Sequence, residues 1–142
     1  MCADAMCLTL EGVVTSGHGR GRILGFPTAN LAISVDSDTP VDGIYACFVN
    51  IPPEPIMRPA TMSVGYNPTF HDVVGRQYEV FIHDLDRNIY GDRVRVKIVE
   101  RLRDIIAFPN VEALVEQSAR DIEMSQEILA LVTHFDPASD DF

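Results

Sequence analysis

The chain has no tryptophan, only three cysteines, and no apolar run that approaches the length of a membrane span. Each shortage excludes something. Cys2, Cys7 and Cys47 form no C-x-x-C pair and are odd in number, which argues against a disulfide framework and for a reducing compartment. The opening residues, MCADAMCLTLEGVV, place Asp4 and Glu11 where a secretory signal would carry basic residues. A cytoplasmic protein without a membrane partner is expected. Cations are scarce as well. Eleven Lys and Arg stand against 21 Asp and Glu, a net charge of -10, which excludes broad phosphate-backbone binding to nucleic acid.

What remains is an ordinary globular composition, 46% hydrophobic and 23% charged, in 142 residues. That length is most economically one domain with a real core, spanning 1–142. The charge is uneven. Glu112, Glu116, Asp121, Glu123, Glu127, Asp136, Asp140 and Asp141 crowd the last third, whereas Arg20 and Arg22 stand in a stretch with no acid nearby. An anionic ligand would belong beside those arginines.

From Cys7 to about 109 the apolar runs are short and separated by turn chemistry, which predicts a mostly β body. The predicted strands are LTLEGVV, GIYACFVNI (43–51), ATMSVG, QYEVFIHD and RVRVKIVERLR, with a further short one near Leu31 to Ile33. In the last, Val94, Val96 and Ile98 alternate with Arg93, Arg95 and Lys97, the period of a strand with one buried and one wet face. DRNIYGD before it predicts a hairpin, and the four prolines of IPPEPIMRP predict a loop or edge connection. After Pro109 the period changes to helical. Asn110 is a good N-cap, Glu112 suits the positive helix end, and Val111, Leu114, Val115, Ile122, Leu129 and Val132 recur on one stripe. The helix is expected over about 110–134, its apolar stripe packed on the β body, with a tail over 135–142.

Three stretches carry chemistry. In SGHGRGRILGFPTANL, Gly17, Gly19 and Gly21 can bring backbone N–H groups close to a phosphate, with Arg20 and Arg22 beside them. This is neither a dinucleotide-binding G-x-G-x-x-G nor a loop ending in G-K-[ST], and the same glycines suit a flexible hairpin. Pro27 fixes the backbone before Thr28, and Thr28 and Asn30, two apart in an extended segment, point the same way. Their oxygens suit Mg²⁺, which takes much of its coordination from water and substrate phosphates; they equally suit a turn and a strand start. Glu79 shares the facing of Phe81 in YEVFI. It is either a solvated strand glutamate or, over a cleft, a general base for an alcohol or water nucleophile. His18, His71, His83 and His134 have no metal-ligand spacing, and no Ser-His-Asp arrangement is readable.

Taken in order, GRGRILGFPTANL, DGIYAC, VGYNPTF, YEVFIHDLDRNIYG and RLRDIIAF resemble the riboflavin kinase family over nearly the whole chain. The resemblance implies a six-stranded Greek-key β-barrel with a long C-terminal helix. It also implies transfer of the γ-phosphoryl group of ATP to the terminal ribityl hydroxyl of riboflavin, giving FMN and ADP. Carried over by position, Gly17, Gly19, Gly21 and Arg22 hold the nucleotide phosphates, and Thr28 and Asn30 bind Mg²⁺ with them. Glu79 is the base on the ribityl hydroxyl. Ile82, Asp84 and Tyr90 line the nucleotide site, and Arg103, Ile106 and Phe108 meet the flavin. The family commonly has a histidine two residues after the base and a glutamate two after the arginine, where this chain has Phe81 and Ile105.

Many bacterial relatives carry this module behind an adenylyltransferase domain that makes FAD. These 142 residues contain no such half, so FMN synthesis alone is expected, with an adenylyltransferase domain or protein as the one partner beyond ATP and riboflavin. Two other classes compete with the kinase: a flavin- or nucleotide-holding barrel without turnover, and an interaction domain that uses the acidic helix.

Overall fold

The structure, a computed structural model, describes residues 8–15, 28–33, 40–65, 77–85 and 88–132. Six strands, β1 (Thr9–Thr15), β2 (Ala29–Ile33), β3 (Gly43–Asn50), β4 (Arg58–Gly65), β5 (Gln77–Ile82) and β6 (Arg93–Arg103), precede one described helix, α1 (Val111–Ala130). The strands close into a barrel in the order β1-β2-β5-β4-β3-β6, every pairing antiparallel. β3, β4 and β5 follow one another in space, and β6 returns beside β3, which is the Greek key. Closure leaves no strand edge open.

Alternation dictates what fills the barrel. Leu10 and Val14 of β1, Leu31 of β2, Tyr45, Cys47 and Val49 of β3, Met62 and Val64 of β4, Val80 and Ile82 of β5, and Val94, Val96 and Ile98 of β6 form one buried cluster. Each such side chain withdrawn from water contributes roughly 1.5–3 kcal/mol. The residues between them must face outward. On β3 these are Ile44, Ala46 and Phe48, and they are also buried, because α1 lies over that wall: Ala46, Phe48 and Leu129 form a second cluster with Val99, Leu102 and Ile128 around it.

Three expectations change. The wet face of β6 is only partly wet: Lys97 is buried, its stem sharing the outer wall with Phe48, in cross-strand register. The proline-rich segment is not loop throughout, since Arg58 and Pro59 begin β4. Pro59 can do so at a strand start, where it pairs with Phe48 and uses only its carbonyl, which accepts from the His83 N–H at 2.9 Å. The stripe of α1 is not wholly apolar either. Its buried residues are Leu114, Asp121, Ser125 and Leu129, while Val111 lies exposed. The wall beneath the middle of the helix offers Arg103, which pairs with Asp121, and Thr61, which pairs with Ser125 and with His83 beside it.

Candidate active site

Strand parity builds the site on the outer wall. Val80 and Ile82 occupy the core, so Glu79 and Phe81 point outward; Ala29 and Leu31 pack inward, so Asn30 points outward too, and Thr28 immediately precedes β2. The register then brings them together. Asn30 of β2 is paired with Glu79 of β5, and Asn30 is in turn opposite Thr15 of β1, whose hydroxyl reaches the Asn30 carbonyl at 3.5 Å. Directly opposed side chains have Cβ atoms about 5 Å apart. The amide and the carboxylate thus share one small patch, with Thr28 just ahead of the strand.

The same row continues around the barrel. Glu79 is opposite Ser63, Gly43 to Asn50 pairs with β4 so that Ile44 meets Ser63, and Ile44 is opposite Arg103. Asn30, Glu79 and Arg103 therefore lie on one cross-strand row, with Arg103 three strands from Glu79, about 14 Å along the hydrogen-bonding direction. Gly65, at φ +135, ends β4, and a Cβ there would lie 3.0–3.2 Å from the Asp42 side chain.

The other site candidates fall at two places. Ile82 turns its side chain into the core, leaving its backbone at the wall, where its carbonyl accepts from Leu85 N–H. Asp84 is exposed and paired with Arg58 at 3.4 Å; Glu54 also holds that arginine and raises its pKa. Tyr90 is exposed in the turn before β6. Its N–H donates to Asn88 Oδ1, and its neighbour Gly91 donates to the Val14 carbonyl, beside the end of β1. Gly17, Gly19, Gly21 and Arg22, with Arg20, lie outside the described residues.

At the end of β6, Arg103 is held by the helix and by the chain that follows it. Its Nε donates to Asp121 Oδ1 at 3.0 Å, its Nη2 to Asp121 Oδ2 at 2.7 Å and its Nη1 to the Asp104 carbonyl at 2.8 Å. Its guanidinium also lies 5.7 Å from the centre of the Phe108 ring. Ile106 is exposed and Phe108 half-buried. Arg103 thus stands beside the expected flavin segment as its anchor.

Sequence reasoning overlooked a second polar cluster. The Thr61 hydroxyl donates to Ser125 Oγ at 2.8 Å and meets His83 Nε2 at 2.7 Å. With its proton on Ser125, Thr61 accepts from the Nε2–H, which leaves Nδ1 unprotonated; Nδ1 is buried and has no partner among the described residues. Burial lowers the His83 pKa, with Asp84 opposing. The legible signal was the i, i+4 spacing of Gln117, Asp121, Ser125 and Leu129 on the stripe of Leu114.

The oxygen donors of Thr28 and Asn30 suit a hard cation that arrives with phosphates. Among the described residues no cluster of three or more His, Cys, Asp or Glu could hold a metal ion by itself.

Comparison with known proteins decides the family. The flavokinase family model, described as riboflavin kinase, matches residues 5–129. The chain belongs to the riboflavin kinase family. It is 32% identical to mouse riboflavin kinase over 136 residues, covering 93% of this chain and 87% of the mouse protein. It is 36% identical over 122 residues to a bifunctional riboflavin kinase/FMN adenylyltransferase of Listeria monocytogenes, covering 86% of this chain but only 38% of that protein. Riboflavin kinase of Trypanosoma brucei shares the fold, with a TM-score of 0.61 at 21% identity over 90% of this chain and 83% of that one. In this chain the paired Asn30 and Glu79 occupy the wall formed by β2 and β5.

Proposed function

We propose that this chain is a riboflavin kinase, transferring the γ-phosphoryl group of ATP to the terminal ribityl hydroxyl of riboflavin to give FMN and ADP. The observation that carries the reading is the Asn30–Glu79 pair, with Thr28 immediately before β2. Phosphoryl transfer asks the protein mainly for positioning and for charge neutralisation over the phosphate oxygens. Glu79 accepts the hydroxyl proton as that oxygen bonds to the γ-phosphorus and the bond to the ADP oxygen breaks. Thr28 and Asn30 offer oxygens to Mg²⁺ carried in with the nucleotide. When bound, that ion supplies positive charge against the phosphates.

Gly17, Gly19, Gly21 and Arg22 complete the phosphate side of the proposal, Asp84 and Tyr90 with the Ile82 backbone line the nucleotide, and Arg103, Ile106 and Phe108 border the flavin. FMN is the product at this site. An adenylyltransferase, as a domain or a separate protein, is the proposed consumer, in keeping with the bifunctional name of the Listeria relative. A cytoplasmic location belongs to the same reading. It is supported by the free, buried Cys47 thiol, whose pKa burial pushes up, and no described helix is long and apolar enough to cross a membrane.

The deciding experiment incubates the chain with riboflavin, ATP and Mg²⁺ and separates the flavins. FMN is expected, with ADP formed in equal amount. Riboflavin retained on the protein without FMN would instead make it a flavin-holding barrel.

A further inference from the structure

We propose that Asp121 is a positioning residue for riboflavin: through Arg103 it fixes the segment 104–110, and so the site of Ile106 and Phe108, to helix α1. The proposal rests on the riboflavin kinase reading for its ligand, and on contacts outside the Glu79 patch for its mechanism.

Asp121 is an uncommon residue to find in the middle of a buried helix face, at 3% exposure. It is tolerated because its carboxylate is fully engaged: Arg103 takes both oxygens, and Gln117 Nε2, one turn earlier, donates to Oδ1 at 3.0 Å. Such a pair is weak evidence for stability, since apolar residues of the same volume commonly pack as well. Its geometry is better evidence for position. One guanidinium joins three bodies: the helix through Asp121, the first carbonyl of the loop through Asp104, and the Phe108 ring.

The loop is held at both ends to the same helix. At its start, Arg101 takes the Asp104 carboxylate and the Asp42 carbonyl, while Arg103 takes the Asp104 carbonyl. At its end, Asn110 caps α1 by accepting from the Ala113 N–H at 2.8 Å. Removing the Asp121 charge leaves Arg103 without its anchor, so the ring it supports and the loop start lose their fixed relation to the helix. The Asn30–Glu79 patch, three strands away, keeps its register.

The test compares Asp121→Asn, Arg103→Lys and the double variant with Ser125→Ala, which loosens the same helix without touching Arg103. Riboflavin affinity is read from quenching of flavin fluorescence, ATP affinity by calorimetry, and the loop by hydrogen exchange over 104–110. Asp121→Asn is expected to weaken riboflavin about tenfold or more while ATP changes less than about twofold, and to speed exchange in the loop. Arg103→Lys should do the same, and the double variant no more than either alone, because both remove one interaction. The proposal is overturned if Ser125→Ala weakens riboflavin as much as Asp121→Asn at equal loss of melting temperature, if the two single effects add, or if loop exchange is unchanged. Should Asp121→Asn not fold, Asp121→Glu, which keeps the charge but displaces it from Arg103, carries the same comparison. A wild-type chain that binds riboflavin without making FMN would sink the kinase reading alone, and affinity and exchange would still decide the clamp. A wild-type chain that binds no riboflavin overturns both.

Discussion

Glu79 reaches the outer wall because its neighbours leave it no other side: Val80 and Ile82 are drawn into the core, and a strand alternates. The proposal that it acts as base rests on that placement together with Asn30 across the strand. For Glu79→Gln, which keeps shape and removes basicity, kcat is expected to fall about 10²–10⁴-fold with riboflavin and ATP affinities retained. Steady-state rates together with binding titrations check this, and unchanged turnover would remove Glu79 from the chemistry.

His83 makes a different demand at the same scale. Its folded pKa lies below the ordinary 6.5 because burial disfavours the imidazolium, and the Nδ1 that would take the proton has no described acceptor. Between the folded and unfolded values the unfolded chain binds more protons, so stability rises with pH through that window and is lost as pH falls below 6.5. The decline in urea midpoint between about pH 7.5 and about pH 5.5 is expected to be steeper for the wild type than for His83→Gln. Equal declines would show that His83 does not titrate against folding.

Among the elements, α1 is the one whose sequence misled. Its start at Asn110 and its helical period were legible, because capping and periodicity are local properties, but it stops at Ala130, short of the expected end near 134. The polar middle of its buried face was not. Asp121 sits in an acidic run that reads as a solvated face, and only the barrel wall, brought near by closure, supplies Arg103 and Thr61. The strands were legible for the same local reason, whereas Pro59 inside β4 and buried Lys97 depended on which strand became the neighbour. The site divides likewise. That Thr28 and Asn30 act together was an expectation from spacing; that Glu79 is opposite Asn30 is a register, which pairs residues far apart in sequence. The N-cap gives a prediction at this scale. Asn110→Ala removes the acceptor for the Ala113 N–H and should cost about 0.5–2 kcal/mol, read as a lower urea midpoint at unchanged m-value.

For the whole molecule, the decisive step is closure, since β1 must pair with β2 on one side and with β6, near the other end of the chain, on the other. Gly12 stands in both ladders, opposite Ile33 and opposite Val94. A Cβ there would lie 2.8 Å from the Ala32 carbonyl oxygen and 3.1 Å from the Ile33 side chain, so any larger residue must push β2 away from β1. β2 is also the strand that holds Asn30 against Glu79. Gly12→Val should therefore act twice. Overpacking at the seam is expected to cost about 1–3 kcal/mol by urea unfolding. The displaced β2 should weaken binding of Mg²⁺-ATP more than binding of riboflavin, because Arg103 and the 104–110 segment lie on the far side of the row. Gly12→Ala, with less to accommodate, should show both effects in smaller measure. A Gly12→Val protein that lost stability but kept its Mg²⁺-ATP affinity would mean that the β1–β2 seam and the Asn30–Glu79 pair are mechanically independent.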